Sequence, residues 1–239
     1  MNGVRVAGVL AVMLGAGLVL AHPARASLLH QYLFNGSVTD QVGSLNGTLV
    51  GSATASGGSL TLNGTTDYAQ LSGYAIPSGD FSVTFDATIA AISNSAYAEM
   101  ISQGSSGLPG FYIGLTPGGT NFRLGDALGT INVAAPTDGK QHSYKLISSA
   151  TSGTQFYIDG TQQYTSATQM TAPQSGTDTR FGAQFGGYGE YFDGSLSNVA
   201  IYSGLPSAPS VPEPASLALL GVGLLGLPVL RRRRQTSRA

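Results

Sequence analysis

The chain has 239 residues and contains neither cysteine nor tryptophan. Without thiols it can form no disulfide, no iron–sulfur cluster and no cysteine zinc site, and it has no thiol nucleophile. The lack of tryptophan removes the largest ring on which a ligand could stack. A folded domain must therefore be held by its hydrophobic core, for which the roughly 180 residues between the two ends suffice.

Charged residues are scarce, at 10% of the chain, and they are unevenly distributed. Residues 27–208 contain four basic residues against eleven acidic ones, which gives this segment a formal net charge of −7. Nucleic-acid binding needs grouped Lys and Arg to neutralise phosphates, so we expect no nucleic-acid partner. Such a net negative charge favours solubility.

The N-terminus has the pattern of a secretory signal. Arg5 precedes an apolar run over residues 6–21, and Ala24-Arg25-Ala26 fits a small-x-small cleavage site. We therefore predict a signal peptide over residues 1–26, with Ser27 as the first mature residue. The alternative is an N-terminal helix that is retained.

The C-terminus combines a short proline motif, an apolar run and a basic block. The run covers residues 215–230 and would form a helix about 24 Å long, somewhat shorter than a hydrocarbon core of about 30 Å. Arginines stay on the cytoplasmic side, which places the preceding residues outside. The motif residues are Val211, Pro212, Glu213 and Pro214, and the membrane-stop residues are Arg231, Arg232, Arg233 and Arg234.

This order resembles the bacterial PEP-CTERM sorting tail. The resemblance implies export by a Gram-negative cell, a transient membrane helix and removal of the tail by an exosortase-type transpeptidase. The alternative is a permanent anchor that is never cut, as in a surface adhesin. Residues 206–214 then form a linker that contains the motif, and residues 231–239 form a cytoplasmic tail.

Between the two ends, the pattern predicts an all-β sandwich. Residues 81–89 alternate apolar and polar side chains, which favours a strand with one buried and one solvated face. Asp159-Gly160 predicts a type I′ hairpin turn. The predicted strands are residues 28–34, 46–50, 59–62, 68–71, 81–89, 96–103, 110–115, 121–124, 130–133, 141–148, 155–158, 162–164, 180–182 and 196–202.

Four segments in a fixed order resemble the LamG-like, concanavalin A-like jelly-roll family. They are Tyr32-Leu33-Phe34 with Asp40 and Gly43, residues 60–64 leading to Asp67-Tyr68, residues 138–142 followed by residues 156–160, and residues 192–196 running to Tyr202. The resemblance implies a two-sheet antiparallel jelly roll over residues 27–205. The aromatic residue that the family often has before His142 is replaced here by Gln141, so we interpret His142 as structural.

The sequence argues against catalysis. Laminarinase-type members of this fold place their acids in a Glu-x-Asp-x-x-Glu pattern, and the chain has none. Glu99 stands alone, and no Gly-x-Ser-x-Gly elbow accompanies His30 or His142. We therefore predict a protein that is not an enzyme, with a divergent glycosidase or lyase as the alternative.

A structural calcium ion is the one cofactor that the resemblance suggests. Asp40 lies in the loop where the family commonly supplies a ligand, and calcium prefers several oxygen ligands. The acidic pair that the family often has in the last strand is Ser197-Asn198 here. The alternative is that Asp40 caps its own turn.

A glycan, such as an exopolysaccharide, is the expected partner. The stretch with Tyr188, Glu190 and Tyr191 offers two aromatic rings and an acid on a glycine-rich loop. Arg123 and Asp126, with Asn121 nearby, form a second polar group. Tyrosines half-buried at a sheet edge would explain the same pattern without a ligand.

Overall fold

Short strands joined by glycine-rich turns make up nearly all regular structure in residues 26–90, 96–105, 109–175 and 178–205, which the computed structural model of the chain describes. One α-helical turn, α1 (Gly125–Leu128), follows the ninth strand, and two 3-10 helical turns cover Pro117–Gly119 and Phe185–Gly187. The strands are β1 (Ser27–Tyr32), β2 (Gly47–Val50), β3 (Thr54–Ser56), β4 (Ser59–Asn63), β5 (Tyr68–Leu71), β6 (Phe81–Ile89), β7 (Ala98–Gln103), β8 (Phe111–Leu115), β9 (Asn121–Leu124), β10 (Gly129–Ala134), β11 (Gln141–Ser149), β12 (Gly153–Ile158), β13 (Thr161–Ser166), β14 (Thr179–Phe181) and β15 (Asp193–Ser203).

The strands form two antiparallel sheets. The eight-stranded sheet has the order β13-β12-β11-β6-β15-β4-β3, with β1 also paired to β15. The seven-stranded sheet has the order β10-β9-β8-β7-β14-β5-β2. The first half of β15 pairs with β4 and its second half pairs with β1. The last strand therefore pairs with two strands from the start of the domain. The predicted two-sheet jelly roll is confirmed.

Each predicted strand is present, with ends that shift by a few residues. β3 was missed because three residues are too few to show alternation. The predicted hairpin turn between β12 and β13 is confirmed, since Asp159 has φ 49° and Gly160 has φ 74°.

β6 departs from the predicted exposure of its second face. Its inward residues are buried as expected, but Ser82 is buried too and Thr84 and Asp86 are half-buried. The reason is the position of β6 between β11 and β15, because a strand with a neighbour on each edge is less accessible to solvent. A central strand of a wide sheet therefore shows less of its outer face than the sequence pattern predicts.

Aromatic rings fill the space between the sheets. Phe85 stacks on Tyr144 with ring centroids 5.1 Å apart, and Phe122 contacts Phe156 at 4.9 Å. Burial of one such ring stabilises the fold by about 1.5–3 kcal/mol. Phe122 belongs to β9, so this cluster fixes the strand whose opposite side carries Arg123.

Candidate functional site

The outer side of the seven-stranded sheet carries a connected group of tyrosines, arginines and carboxylates. Along β8 the side chains of Phe111, Ile113 and Leu115 are buried in the core, while Tyr112 and Gly114 alternate with them. This alternation directs Tyr112 to the outer side and leaves an open place at Gly114. We call the group the Arg123 face, and it consists of Tyr68, Tyr97, Glu99, Tyr112, Arg123, Asp126, Arg180, Glu190 and Tyr191.

Arg123 on β9 is the centre of this face. Its guanidinium lies between two rings, 4.0 Å from the centroid of Tyr97 and 3.9 Å from that of Tyr112. Its NH1 nitrogen is 3.2 Å from an oxygen of Glu99 and 3.2 Å from an oxygen of Glu190. Two rings and two carboxylates therefore hold the guanidinium in one orientation.

Glu99 on β7 lies fully buried beneath the other groups. Burial raises the pKa of its carboxyl group well above the usual value, the charge of Arg123 lowers it, and Glu190 raises it further. Neither carboxyl oxygen accepts a hydrogen bond of good geometry, although one lies at ion-pair distance from Arg123. A Cβ on Gly114 would overlap the Glu99 carboxyl, so only glycine leaves room for it.

Residues 184–191 form a loop that reaches over this sheet. The amide of Glu99 donates to the Glu190 carbonyl over 2.9 Å, and the Gln184 amide donates to the Gly189 carbonyl over 3.0 Å. With its side-chain nitrogen turned towards the loop, Gln184 also donates to Glu190 Oε2 over 2.7 Å. Tyr188 in this loop is 54% exposed. The loop thus brings the two predicted groups together, because Glu190 contacts Arg123.

Asp126 joins the same face from α1. Its carboxylate accepts a hydrogen bond from the Tyr112 hydroxyl over 2.8 Å and one from the Gly110 amide over 2.7 Å. Burial raises the pKa of Tyr112, and Asp126 adds to this rise whereas Arg123 opposes it. Tyr112 therefore stays neutral and links Asp126 to the ring pair around Arg123.

The face continues across the sheet towards β5. The rings of Tyr191 and Tyr68 are 6.2 Å apart, and the guanidinium of Arg180 lies 4.7 Å from the Tyr68 centroid. Arg180 forms an ion pair with Asp178 over 2.7 Å. Beside them lies an open hollow of about 530 Å³ that Gln70, Ser72, Gly73, Tyr74, Asp178 and Arg180 help to line.

Asp40 has a different environment from the one expected for a metal ligand. Its carboxylate accepts hydrogen bonds from the amides of Gln31, Val42, Gly43 and Leu45, and it contacts His30 Nδ1 at 2.6 Å. These groups leave no oxygen lone pair directed at a cation. In the described part of the chain, no three His, Cys, Asp or Glu residues group as metal ligands would. The calcium prediction therefore does not fit the donors that surround Asp40, which caps its own loop.

His142 lies on the other sheet and bridges two acidic loops. Its Nδ1 is 2.7 Å from Asp159, and its Nε2 is 3.1 Å from Asp138. These hydrogen bonds raise the pKa of His142 above its usual value. Both ring nitrogens thus lie against carboxylates, and the structural role of His142 stays a prediction.

Sequence reasoning missed Glu99, Tyr97 and Tyr112 as members of the face. The single available signal was the carboxylate of Glu99 between the apolar residues Ala98 and Met100. A buried acid needs a partner, but the sequence alone did not indicate Arg123.

The sorting motif Val211, Pro212, Glu213 and Pro214, the run 215–230 and Arg231 to Arg234 lie outside the described residues. So does the predicted signal peptide, apart from Ala26. Within the described ranges, no helix is both long and apolar enough to cross a membrane.

Comparisons with known proteins agree with the predicted resemblance. The family model of the concanavalin A-like lectin/glucanases superfamily (Laminin_G_3) matches residues 63–211, which is more than half of the chain. The PEP-CTERM protein-sorting motif matches residues 210–234. A search of curated proteins found no match.

Solved structures share the fold at low sequence identity. Domain 4 of AbnA, an extracellular arabinanase of Geobacillus stearothermophilus solved with arabinotriose, has a TM-score of 0.62 and 16% identity over 77% of this chain and 96% of that one. A Trypanosoma rangeli sialidase has a TM-score of 0.59 and 16% identity over 75% of this chain and 31% of the sialidase chain. The third structure is of botulinum neurotoxin type C, whose cell entry depends upon interaction with two ganglioside molecules. It has a TM-score of 0.57 and 12% identity over 76% of this chain and 49% of the neurotoxin chain. The chain thus spans less than half of the last two.

Proposed function

Because the chain belongs to the concanavalin A-like lectin/glucanases superfamily and carries a PEP-CTERM sorting tail, we propose that it is an exported glycan-binding protein whose ligand contacts the Arg123 face. The observation that carries the proposal is that the exposed ring of Tyr97 lies against Arg123, and that Arg123 pairs with Glu190, two residues from the exposed Tyr188. Aromatic faces beside fixed polar groups suit the alternating apolar and hydroxyl surfaces of a sugar.

The charges favour an uncharged glycan. Arg123 is paired with Glu99 and Glu190, and Arg180 is paired with Asp178, so neither guanidinium is left to attract an anion. The formal charge of −7 over residues 27–208 also repels polyanions. Binding should therefore change little with salt, because few charge pairs form with the ligand.

Affinity electrophoresis of the full chain in detergent, through gels containing arabinan, β-glucan or a sialylated polysaccharide, tests the proposal. We expect retardation by a neutral glycan and a loss of at least about tenfold in affinity for the double variant Tyr188→Ala, Tyr191→Ala. Tyr157→Ala, which lies on the other sheet under Lys145, is the matched control and should migrate as the wild type does. Equal retardation of all three proteins would reject the site.

Glycoside hydrolysis is the second candidate function. The observation in its favour is the pair of carboxyl groups at Glu99 and Glu190, one fully buried and one 20% exposed, beside a single arginine. Acids held in unlike environments are typical of glycosidases. Reducing-sugar release from the same polysaccharides, lost in Glu99→Gln and in Glu190→Gln, would establish this function, whereas binding without release supports the first proposal.

The route of export forms the last part of the proposal. The signal peptide over residues 1–26 would direct export in a Gram-negative cell, and residues 215–230 would hold the chain in the membrane until an exosortase-type enzyme cuts near Pro212 to Pro214. The domain over residues 27–205 would then reach the cell surface or matrix. The intact mass of the extracellular form tests this order, because a permanent anchor would leave residues 215–239 in place.

A further inference from the structure

One buried carboxyl group on the Arg123 face lacks a donor of its own. The side chain of Glu99 is 0% exposed, and neither of its oxygens accepts a well-formed hydrogen bond. The nearest cation is the NH1 nitrogen of Arg123, and Glu190 lies at the same distance from that nitrogen. Two carboxylates therefore compete for one guanidinium.

The charges around Glu99 do not balance when every group is ionised. Arg123 faces it from β9, Glu190 from the loop and Asp126 from α1, while the rings of Tyr112 and Tyr97 lie against the guanidinium. An unpaired buried charge is unfavourable, so the burial of this cluster favours the protonated form of one carboxyl group. Burial assigns this proton to Glu99, whose pKa is raised for the same reason.

We propose that Glu99 is a positioning residue that keeps the loop of residues 184–191 docked on the sheet while its carboxyl group is neutral and releases the loop when that group ionises. Ionisation would set Glu99 and Glu190 against each other, and one of them must move away. Glu99 is fixed on β7 and is fully buried. Glu190 is 20% exposed and lies in a loop, so Glu190 is the group that moves.

The backbone of the loop is suited to this movement. Glu190 has φ 52°, a left-handed conformation that is strained for a non-glycine residue. Gly186, Gly187 and Gly189 also have positive φ values, from 71° to 83°. Undocking relieves the strain at Glu190, and the neighbouring glycines accept the new backbone angles without a steric penalty.

The consequence for ligand binding rests on the function proposed above. Tyr188 and Tyr191 belong to the same loop region, and Glu190 between them pairs with Arg123, so docking of the loop sets the position of both tyrosines on the outer side of the sheet. Glycan binding should therefore weaken as the pH rises and Glu99 loses its proton. The docking of the loop itself is a property of the protein without ligand and can be measured separately.

Amide hydrogen exchange of the full chain in detergent, followed by NMR between pH 5 and pH 9, tests the inference. The Glu99 amide reports docking directly because it donates to the Glu190 carbonyl, and the Gln184 amide reports the closure of the loop. After correction for the intrinsic pH dependence of exchange, we expect protection at both amides to fall by about tenfold or more as Glu99 ionises. The 13C signal of the Glu99 carboxyl should titrate over the same range.

Two variants test whether docking of the loop depends on the protonation of Glu99 or only on the packing of its side chain. Glu99→Gln keeps the shape and stays neutral, so its protection should not change with pH. Glu190→Gln should also abolish the change, because an ionised Glu99 then pairs with Arg123 alone. His142→Gln is the matched control, since it removes a titrating group on the other sheet and should keep the wild-type profile.

Each outcome decides between the alternatives. Protection in the wild type that does not vary with pH, or that varies equally in Glu99→Gln, would overturn the inference, as would a Glu99 carboxyl that titrates below pH 5. If Glu99→Gln does not fold, Glu190→Gln and the carboxyl titration carry the same test. A pH-dependent loop without any glycan binding would reject the proposed function and leave this inference in place.

Discussion

Asp40 and Glu99 are both buried carboxyl groups, yet their environments act in opposite directions. Burial alone raises the pKa of each. At Asp40, hydrogen bonds from His30 and from backbone amides outweigh burial and lower the pKa to about 2. At Glu99 no donor of good geometry compensates, and the pKa stays raised. A buried carboxylate that accepts several hydrogen bonds stabilises a loop, whereas a buried carboxyl group without such donors is available to respond to its surroundings.

Among the substitutions that would remove this difference, the one at Asp40 should have the largest effect on stability. Asp40→Ala leaves four backbone amides without their acceptor, and we expect the free energy of unfolding at pH 7 to fall by about 4 kcal/mol. Urea denaturation measures the change. Asp138→Ala, which removes an exposed acid in another loop, serves as the control and should leave the free energy of unfolding nearly unchanged. If Asp40→Ala lowers the free energy of unfolding by less than about 1 kcal/mol, water must hydrogen-bond to the four amides and the prediction is wrong.

The pH dependence of stability should show two limbs with opposite signs. Asp40 has a folded pKa below its usual 3.8, so its contribution of about 2 kcal/mol is present above that value and is lost as the pH falls through about 2. Glu99 has a folded pKa above its usual 4.5, so its contribution is present below that value and is lost as the pH rises through the folded pKa.

Urea denaturation from pH 2 to pH 9 resolves these limbs. Asp40→Asn should flatten only the acidic limb, and Glu99→Gln should flatten only the alkaline limb. The assignment fails if either substitution changes the limb of the other residue.

Gly114→Ala tests the space that holds the Glu99 carboxyl. The added Cβ overlaps Glu99 and also approaches the Ala98 carbonyl, so we expect a loss of about 2 kcal/mol in unfolding free energy. Removal of the carboxyl in the double variant Gly114→Ala, Glu99→Ala should recover part of this loss, and a double-mutant cycle measures the coupling. Strict additivity of the two changes would show that they do not share one space.

The smallest effect is expected at His142, on the exposed side of the eight-stranded sheet. Its pKa is raised by Asp159 and Asp138, but both acids are exposed. His142→Gln should therefore change the free energy of unfolding by less than about 0.5 kcal/mol at pH 5. NMR titration of the ring should still show a pKa above 6.5, and removal of both acids should abolish that rise.

The fold could be predicted from the sequence because its signals are local. Alternation over residues 81–89 and the Asp159-Gly160 turn depend on near neighbours, and both were sufficient to predict the strand and the hairpin. The pairing of Glu99 with Arg123 could not be predicted in this way. It depends on the order β9-β8-β7 and on the absence of a side chain at Gly114, which no periodicity reveals.

The sequence predicted the two parts of the candidate site separately, again because it reveals only relations between near neighbours. The loop with Glu190 and the strand with Arg123 are 67 residues apart in sequence, and only the sheet brings them to 3.2 Å. At Asp40 the resemblance suggested a metal ligand, but the backbone amides that fill its carboxylate become visible only once the loop has folded.

Chemical-shift mapping of the full chain in detergent, during titration with arabinotriose and with a β-glucan trisaccharide, most directly tests whether the Arg123 face binds glycan. We predict that at least one sugar shifts amide signals in β7, β8, β9 and residues 184–191, with no comparable change in β11 or β12. Shifts confined to the eight-stranded sheet, or none with either sugar, would contradict the account.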